Sequence, residues 1–79
     1  MNNYQEMCNY ISNTLFKDDV AVANRSMIII MDLENHGFEE LSDQMMDAWE
    51  DVHPETLEGT DVLRSILEQA AVETNRQWN

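Results

Sequence analysis

Breaks in regular secondary structure are scarce along this chain. Its 79 residues contain two glycines, Gly37 and Gly59, and one proline, Pro54. A fold of many short strands needs turn residues at intervals of roughly 8–12 positions, whereas a few long helices need far fewer. The sequence therefore predicts an all-α fold, a compact bundle of three to four helices that forms a single helical domain over residues 1–79.

Apolar residues recur at helical spacing in four segments. The predicted helices cover residues 5–16, 20–35, 38–52 and 60–77. Asn3 is expected to cap the first helix with Glu6 as its capping-box partner, and Asp18 or Asp19 is expected to cap the second. Gly37 is placed to end the second helix in the left-handed conformation. These end signals favour helices at the places where the apolar pattern predicts them.

Each predicted helix has an apolar stripe that is expected to face the core. The stripes are Tyr4, Met7, Cys8, Ile11 and Leu15; Val20, Ala23, Met27, Ile30 and Met31; Phe38, Leu41, Met45, Ala48, Trp49 and Val52; and Leu63, Ile66, Leu67, Ala70, Thr74 and Trp78. Ile28 and Ile29 widen the apolar surface of the second helix, which indicates either a central helix or a dimer or partner surface. A strand over residues 26–32 is the alternative for this segment, because isoleucine favours strands.

Four side chains on or beside these stripes have predictions of their own. Cys8 and Trp49 are predicted to be buried, Cys8 as an unreactive thiol. Trp78 either packs onto the last turn of its helix or anchors a partner. Met46 lies off the main stripe and is predicted to be an exposed contact.

The charges of the chain are distributed one-sidedly. Sixteen acidic and four basic residues give a formal net charge of −12. Between Ser26 and Leu63 there are eleven carboxylates and no lysine or arginine. Like charges one helical turn apart destabilise a helix by roughly 0.2–0.5 kcal/mol per pair, so this run indicates a use for the negative field. Nucleic acids and anionic membranes are polyanions and are excluded as direct partners, whereas a basic partner is favoured.

The predicted third helix carries a regular row of acids. Glu39, Asp43 and Asp47 follow one another at four-residue spacing, a rise of about 6 Å per step, and Asp51 continues the row. Glu50 and Asp51 fall in the last turn, where the helix dipole disfavours a carboxylate by on the order of 0.3–1 kcal/mol. The row is comparable to the phosphates of a nucleic-acid strand, which present roughly one charge per 3.4 Å. Together with two carboxylates of the predicted loop over residues 53–59, the predicted partner-binding residues are Glu39, Asp43, Asp47, Glu50, Asp51, Glu55 and Glu58.

This combination of small size, acidity and helical pattern resembles small viral or mobile-element proteins that imitate DNA, among them anti-restriction proteins and some anti-CRISPR proteins. Small helical immunity proteins and antitoxins, which neutralise basic nucleases, share the profile. The resemblance is one of profile rather than of motif. It implies an inhibitor that binds a basic nucleic-acid-binding protein, with carboxylates in place of phosphates, and acts by steric competition with electrostatic steering.

Two alternatives to this function remain open. The chain could be a helical adaptor or assembly subunit that docks through an apolar surface, in which case the acidic residues only keep it in solution. A homodimer through residues 27–31 is also open, because Ile28 and Ile29 extend the apolar surface beyond one face of the helix. The salt response separates these cases, since charge-driven binding weakens as salt rises and apolar docking does not.

A reducing cytoplasm is the predicted compartment. Cys8 is the single cysteine and cannot form an internal disulfide. Residues 1–6 lack the basic and apolar regions of a signal peptide, and residues 27–31 are far too short for a membrane span. Cys8, His36 and His53 have neither zinc spacing nor a catalytic pairing, so we predict no enzyme, no metal and no cofactor.

Two weaker patterns point to other chemistry. Residues 32–43 resemble a calcium loop with Gly37 at the sixth position, but His36 and Asp43 depart from the pattern at the fifth and twelfth. Length, acidity and helix count also resemble those of acyl carrier proteins, in which a serine carries the prosthetic group. The nearest match to that serine is Ser26, which follows Arg25 where those proteins have an acid and lies inside a predicted helix. Both interpretations rank below the acidic helix.

Overall fold

The computed structural model describes residues 3–78, except for the side chain of Trp78, so the predicted packing or anchoring of Trp78 lies outside the described residues. Four helices follow one another: α1 (Tyr4–Thr14), α2 (Asp19–Asn35), α3 (Glu39–Glu50) and α4 (Thr60–Trp78). Helix α2 contacts the other three, and α1 and α3 each pack against both α2 and α4. The predicted all-α bundle is confirmed, and the alternative strand over residues 26–32 is wrong because this segment lies within α2.

The predicted caps at the helix N-termini are present. The Asn3 side chain accepts a hydrogen bond from the Glu6 backbone N–H at 2.8 Å, and its amide group donates to the Glu6 carboxylate at 3.0 Å. Glu6 therefore binds the cap side chain rather than the cap backbone, a variant of the capping box. Asp18 caps α2 by accepting a hydrogen bond from the Ala21 N–H at 2.9 Å. These local bonds place the first residues of both helices next to the predicted positions.

A glycine turn ends α2 and sets the direction of α3. Gly37 has φ +89°, in the left-handed region that favours glycine. The Gly37 N–H donates to the Glu34 carbonyl at 3.1 Å and the Phe38 N–H donates to the Leu33 carbonyl at 2.8 Å. This pair of bonds is the Schellman motif. The predicted role of Gly37 is confirmed.

The core is built from all four helices. It contains Met7, Ile11, Val22, Ile29, Ile30, Leu33, Leu41, Met45, Ala48, Leu63, Leu67, Ala70 and Ala71. Cys8 is buried as predicted. Met46, which we expected to be exposed, is half-buried and packs against the core. The predicted inward faces of α1, α3 and α4 are otherwise the faces that the structure buries or half-buries.

The buried face of α2 differs from the predicted one. Its buried residues are Val22, Ser26, Ile29, Ile30, Asp32 and Leu33. Val20 and Met31, which we expected to face inward, are 54% and 56% exposed. The Ser26 hydroxyl donates to the Val22 carbonyl at 2.6 Å, so a polar residue is satisfied inside the core. Because α2 has apolar residues on nearly all sides, periodicity alone could not identify the side that packs.

Arg64 connects α4 to the junction between α1 and α2. Its guanidinium donates to the carbonyls of Leu15 at 2.7 Å and Lys17 at 3.1 Å, and it pairs with the Asp19 carboxylate at 2.9 Å. The carbonyls at a helix C-terminus have no partner within the helix, so Arg64 caps α1 from a different helix. Asp19 is 57% exposed, and the carbonyl bonds therefore matter more than the ion pair.

Replacing Arg64 tests this connection. We expect Arg64→Met, which keeps much of the apolar stem, to lower the free energy of unfolding by about 1.5–3 kcal/mol, because charged donors to two carbonyls are lost. The control is Arg76→Met, which removes an exposed pair with Glu73 at 3.4 Å and should change stability by less than about 0.5 kcal/mol. Urea denaturation followed by circular dichroism measures both. Equal effects would show that Arg64 has no special role.

Candidate partner-binding site

The acidic residues of α3 lie on the side of the helix that faces solvent. The residues that α3 buries are Leu41, Ser42, Met45 and Ala48. At 3.6 residues per turn, the positions of Glu39, Asp43, Asp47 and Glu50 fall in the opposite sector, and the C-cap residue Asp51 widens this sector to about 120°. All five side chains are exposed. The structure thus places the predicted carboxylates of α3 on one face.

Glu40 belongs to the same face, although the sequence prediction omitted it. It is exposed in the first turn of α3, directly after Glu39, the first carboxylate of the row. Its position at about 100° from Glu39 around the helix was the signal that could have identified it. Both first-turn carboxylates lie where the positive end of the helix dipole stabilises them.

The loop after α3 forms a hydrogen-bonded turn around His53. The His53 N–H donates to the Glu58 carbonyl and the Leu57 N–H donates to the His53 carbonyl, both at 2.9 Å. The His53 Nδ1 atom accepts hydrogen bonds from the N–H groups of Glu55 and Thr56, each at 3.2 Å. The turn therefore holds the exposed residues Glu55 and Glu58 on one short segment.

This turn returns the chain to the end of α3. Gly59 has φ +97°, and a Cβ atom added there would lie 3.2 Å from the Asp51 carbonyl oxygen. That close approach brings Glu58, the preceding residue, next to the C-terminal end of α3. We call the resulting surface the acidic face; it consists of Glu39, Glu40, Asp43, Asp47, Glu50, Asp51, Glu55 and Glu58.

The carboxylates of the acidic face have no cationic partner within residues 3–78. The ion pairs of this part of the chain join Arg64 to Asp19 and Arg76 to Glu73. Lys17 and Arg25 line a cleft at the junction of α1 and α2, where Arg64 also binds the Lys17 carbonyl. Three of the four basic residues are thus gathered in one place, at a junction that α3 does not form. The charge of the acidic face is not neutralised within the described chain.

A groove opens between α2 and the loop at the C-terminal end of α3. It has a volume of about 590 Å³ and is lined by Ala23, Asn24, Trp49, Glu50, Val52, Pro54 and Leu57. Trp49 is half-buried, and its indole N–H donates to the Ala23 carbonyl at 2.9 Å. Trp49 packs against the core as predicted, but it is half-buried rather than buried and also forms part of an open surface.

A second, smaller groove lies between the start of α3 and α4. It measures about 390 Å³, and its polar lining consists of Glu39, Glu40, Gln44, Gln69 and Glu73.

In the described part of the chain, no group of three histidine, cysteine, aspartate or glutamate side chains is arranged to hold a metal ion. None of the helices of residues 3–78 combines the length and apolarity that crossing a bilayer requires.

The two weaker sequence patterns do not form sites. Residues 32–43 are not a loop, because Asp32 lies in α2 and Asp43 in α3 on either side of the Gly37 turn. Ser26 is fully buried in α2, which leaves no room for a prosthetic group on its hydroxyl.

The chain matches no protein-family model, and no curated protein or solved structure is significantly similar to it.

Asp32 is an unfavourable group in this fold. It is 5% exposed, and its Oδ2 atom has no hydrogen-bond partner among the described residues. It also lies in the last turn of α2, where the negative end of the helix dipole opposes a carboxylate. A buried carboxylate oxygen without a partner costs free energy, so this position lowers the stability of the fold.

Removing that carboxylate should stabilise the protein. We expect Asp32→Asn to raise the free energy of unfolding by about 1 kcal/mol, because the amide has the same shape and no charge. Asp43→Asn, on the exposed face of α3, is the matched control and should change it by less than about 0.5 kcal/mol. Urea denaturation measures both. A clear loss of stability in Asp32→Asn would mean that the carboxylate supports the fold.

Proposed function

We propose that this protein inhibits a basic nucleic-acid-binding protein by presenting the acidic face in place of a phosphate backbone. The observation that carries the proposal is the set of carboxylates on the solvent side of α3 and the adjoining loop, none of which pairs with a cation among residues 3–78. A rigid helix holds most of them at regular intervals, so little ordering is needed on binding. Inhibition follows from steric exclusion of the nucleic acid and involves no chemical step.

The charge distribution supports this proposal over a purely solubilising role. The last turn of α3 contains no basic residue, and Glu50 and Asp51 lie at its negative end. Selection for helix stability alone would favour lysine there. A one-sided field speeds association with an oppositely charged surface, which suits an inhibitor that must compete with nucleic acid. Inhibitors of the anti-restriction, anti-CRISPR or immunity-protein type have this physical profile, and we propose that this one acts in the cytoplasm.

Reversing two charges in the middle of α3 separates binding from stability. We expect the double variant Asp43→Lys and Asp47→Lys to lose partner capture. Its free energy of unfolding should rise by on the order of 0.5 kcal/mol, because the pairs with Glu39 and Asp51 change from repulsive to attractive, while the pair between positions 43 and 47 stays repulsive. Capture is measured from a nucleic-acid-free host lysate at about 0.1 M and about 0.5 M salt. The expected partner is basic, released at the higher salt and displaced by added DNA.

The matched control makes the same charge change elsewhere. Glu34→Lys and Glu68→Lys alter exposed positions on α2 and α4, outside the acidic face, and should retain capture at the lower salt. If both double variants lose capture equally, net charge rather than the acidic face is responsible. If neither loses it, the carboxylates of α3 are not the binding surface.

A second candidate function is favoured by an exposed apolar stripe on α2. Val20, Ile28 and Met31 are exposed on the side of α2 that faces away from the core, and Met27 beside them is half-buried. Such a stripe suits a helical adaptor or assembly subunit, or a homodimer. Of the residues 27–31 predicted for a homodimer, Ile29 and Ile30 lie in the core, which leaves Met27, Ile28 and Met31 for that contact.

The apolar alternative has its own test. If α2 is the binding surface, Ile28→Gln with Met31→Gln should abolish capture, and the wild-type complex should resist high salt, because apolar contacts are not screened. The acidic-face proposal expects these substitutions to leave capture unchanged. Light scattering at low and high protein concentration tests the homodimer, which the double variant should convert to monomer.

A further inference from the structure

The groove beside Trp49 combines apolar walls with a negatively charged edge. Trp49, Val52, Pro54 and Leu57 supply apolar surface, and Glu50 places an exposed carboxylate at the rim. Trp49 is held in place by its indole bond to the Ala23 carbonyl. A pocket of this kind is preformed, with few polar groups at defined positions.

The end of α3 adds negative potential to the groove. The C-terminus of a helix carries a partial negative charge on its unpaired carbonyl groups, and a cation is stabilised there. The last turn of α3 has no basic residue of its own, and Asp51 is its C-cap. The groove thus meets two sources of negative potential, the C-terminal end of α3 and the Glu50 carboxylate that lines it.

Leu57, which lines the groove, has a backbone conformation that residues with a Cβ atom rarely adopt. Leu57 has φ +63°, a region that costs a residue with a Cβ atom roughly 1–2 kcal/mol. Two hydrogen bonds hold Leu57 in this conformation. Its N–H donates to the His53 carbonyl, and its carbonyl accepts from the Thr60 hydroxyl. Glycine would satisfy the backbone more easily, but it would remove the side chain that lines the groove. Strain of this kind is concentrated at functional positions.

We propose that the groove binds an arginine side chain of the partner, with the guanidinium stacked on the Trp49 indole and paired with Glu50. This inference rests on the proposed function and identifies the side chain of the partner that binds at the C-terminal end of α3. Arginine fits better than lysine because its planar guanidinium is weakly hydrated and stacks on aromatic rings. Its apolar stem would contact Val52 and Leu57.

The test is a titration of the full-length ¹⁵N-labelled protein with N-acetyl-arginine amide at low salt, followed by NMR. The Trp49 indole resonance is distinguished from that of Trp78 with Trp78→Phe. We expect a saturable shift of the Trp49 indole and of the Glu50 and Leu57 amides. The lysine amide should bind roughly two- to fivefold more weakly, as the lost stacking implies.

Matched variants locate the site. Glu50→Gln should weaken arginine binding by a similar factor, whereas Glu40→Gln, at the other end of α3, should not change it. The inference is overturned if the shifts do not saturate, or if the neutral leucine amide binds as well as arginine. It is also overturned if the shifts appear on raising the protein concentration alone, since a second copy would then occupy the groove.

The variant Asp43→Lys with Asp47→Lys keeps Trp49 and Glu50, so it separates this inference from the proposed function. Arginine binding in the groove should persist in that variant although partner capture is lost. DNA-displaceable capture without arginine binding would overturn the groove inference alone. If arginine binds in the groove and the charge reversal leaves partner capture unchanged, the groove inference is supported and the proposed function is overturned.

Discussion

The burial of one face of α2 against the other three helices is the constraint on which the rest of the structure depends. Val22, Ile29 and Leu33 on that face are fully buried, and α2, like α4, contacts each of the other three helices. The ends of α2 are determined by the Asp18 cap and the Gly37 turn. Because α2 and α4 together supply most of the core, α3 packs against them through one side only.

That division of roles leaves the outer side of α3 free to carry charge. A small domain is marginally stable, and repulsion among the carboxylates of the acidic face works against folding. The Arg64 cap and the Trp49 indole bond to the Ala23 carbonyl tie distant segments together, which offsets part of that repulsion. The Trp49 bond also fixes α3, which carries most of the acidic face, against α2 beside the groove, so the fold presents a pre-organised negative surface.

Local signals in the sequence predicted the fold well. Helix ends were predictable to within two residues, because caps and the Gly37 turn involve neighbouring residues. The side of α2 that packs was not, since Val20 and Met31 have the same apolar character as the residues that the tertiary structure buries. Periodicity also placed the carboxylates of α3 on one face. The Arg64 cap and the groove at Trp49 could not be predicted, because they join residues 49 and 26 positions apart.

Competition between this protein and duplex DNA for the captured partner tests the central claim most directly. The partner is bound to a fluorescently labelled duplex, and the anisotropy is followed as the protein is added at several DNA concentrations. The account predicts complete release of DNA, with an apparent dissociation constant that rises in proportion to the DNA concentration, because both ligands occupy one basic surface. A ternary complex in which DNA stays bound at saturating protein would contradict it.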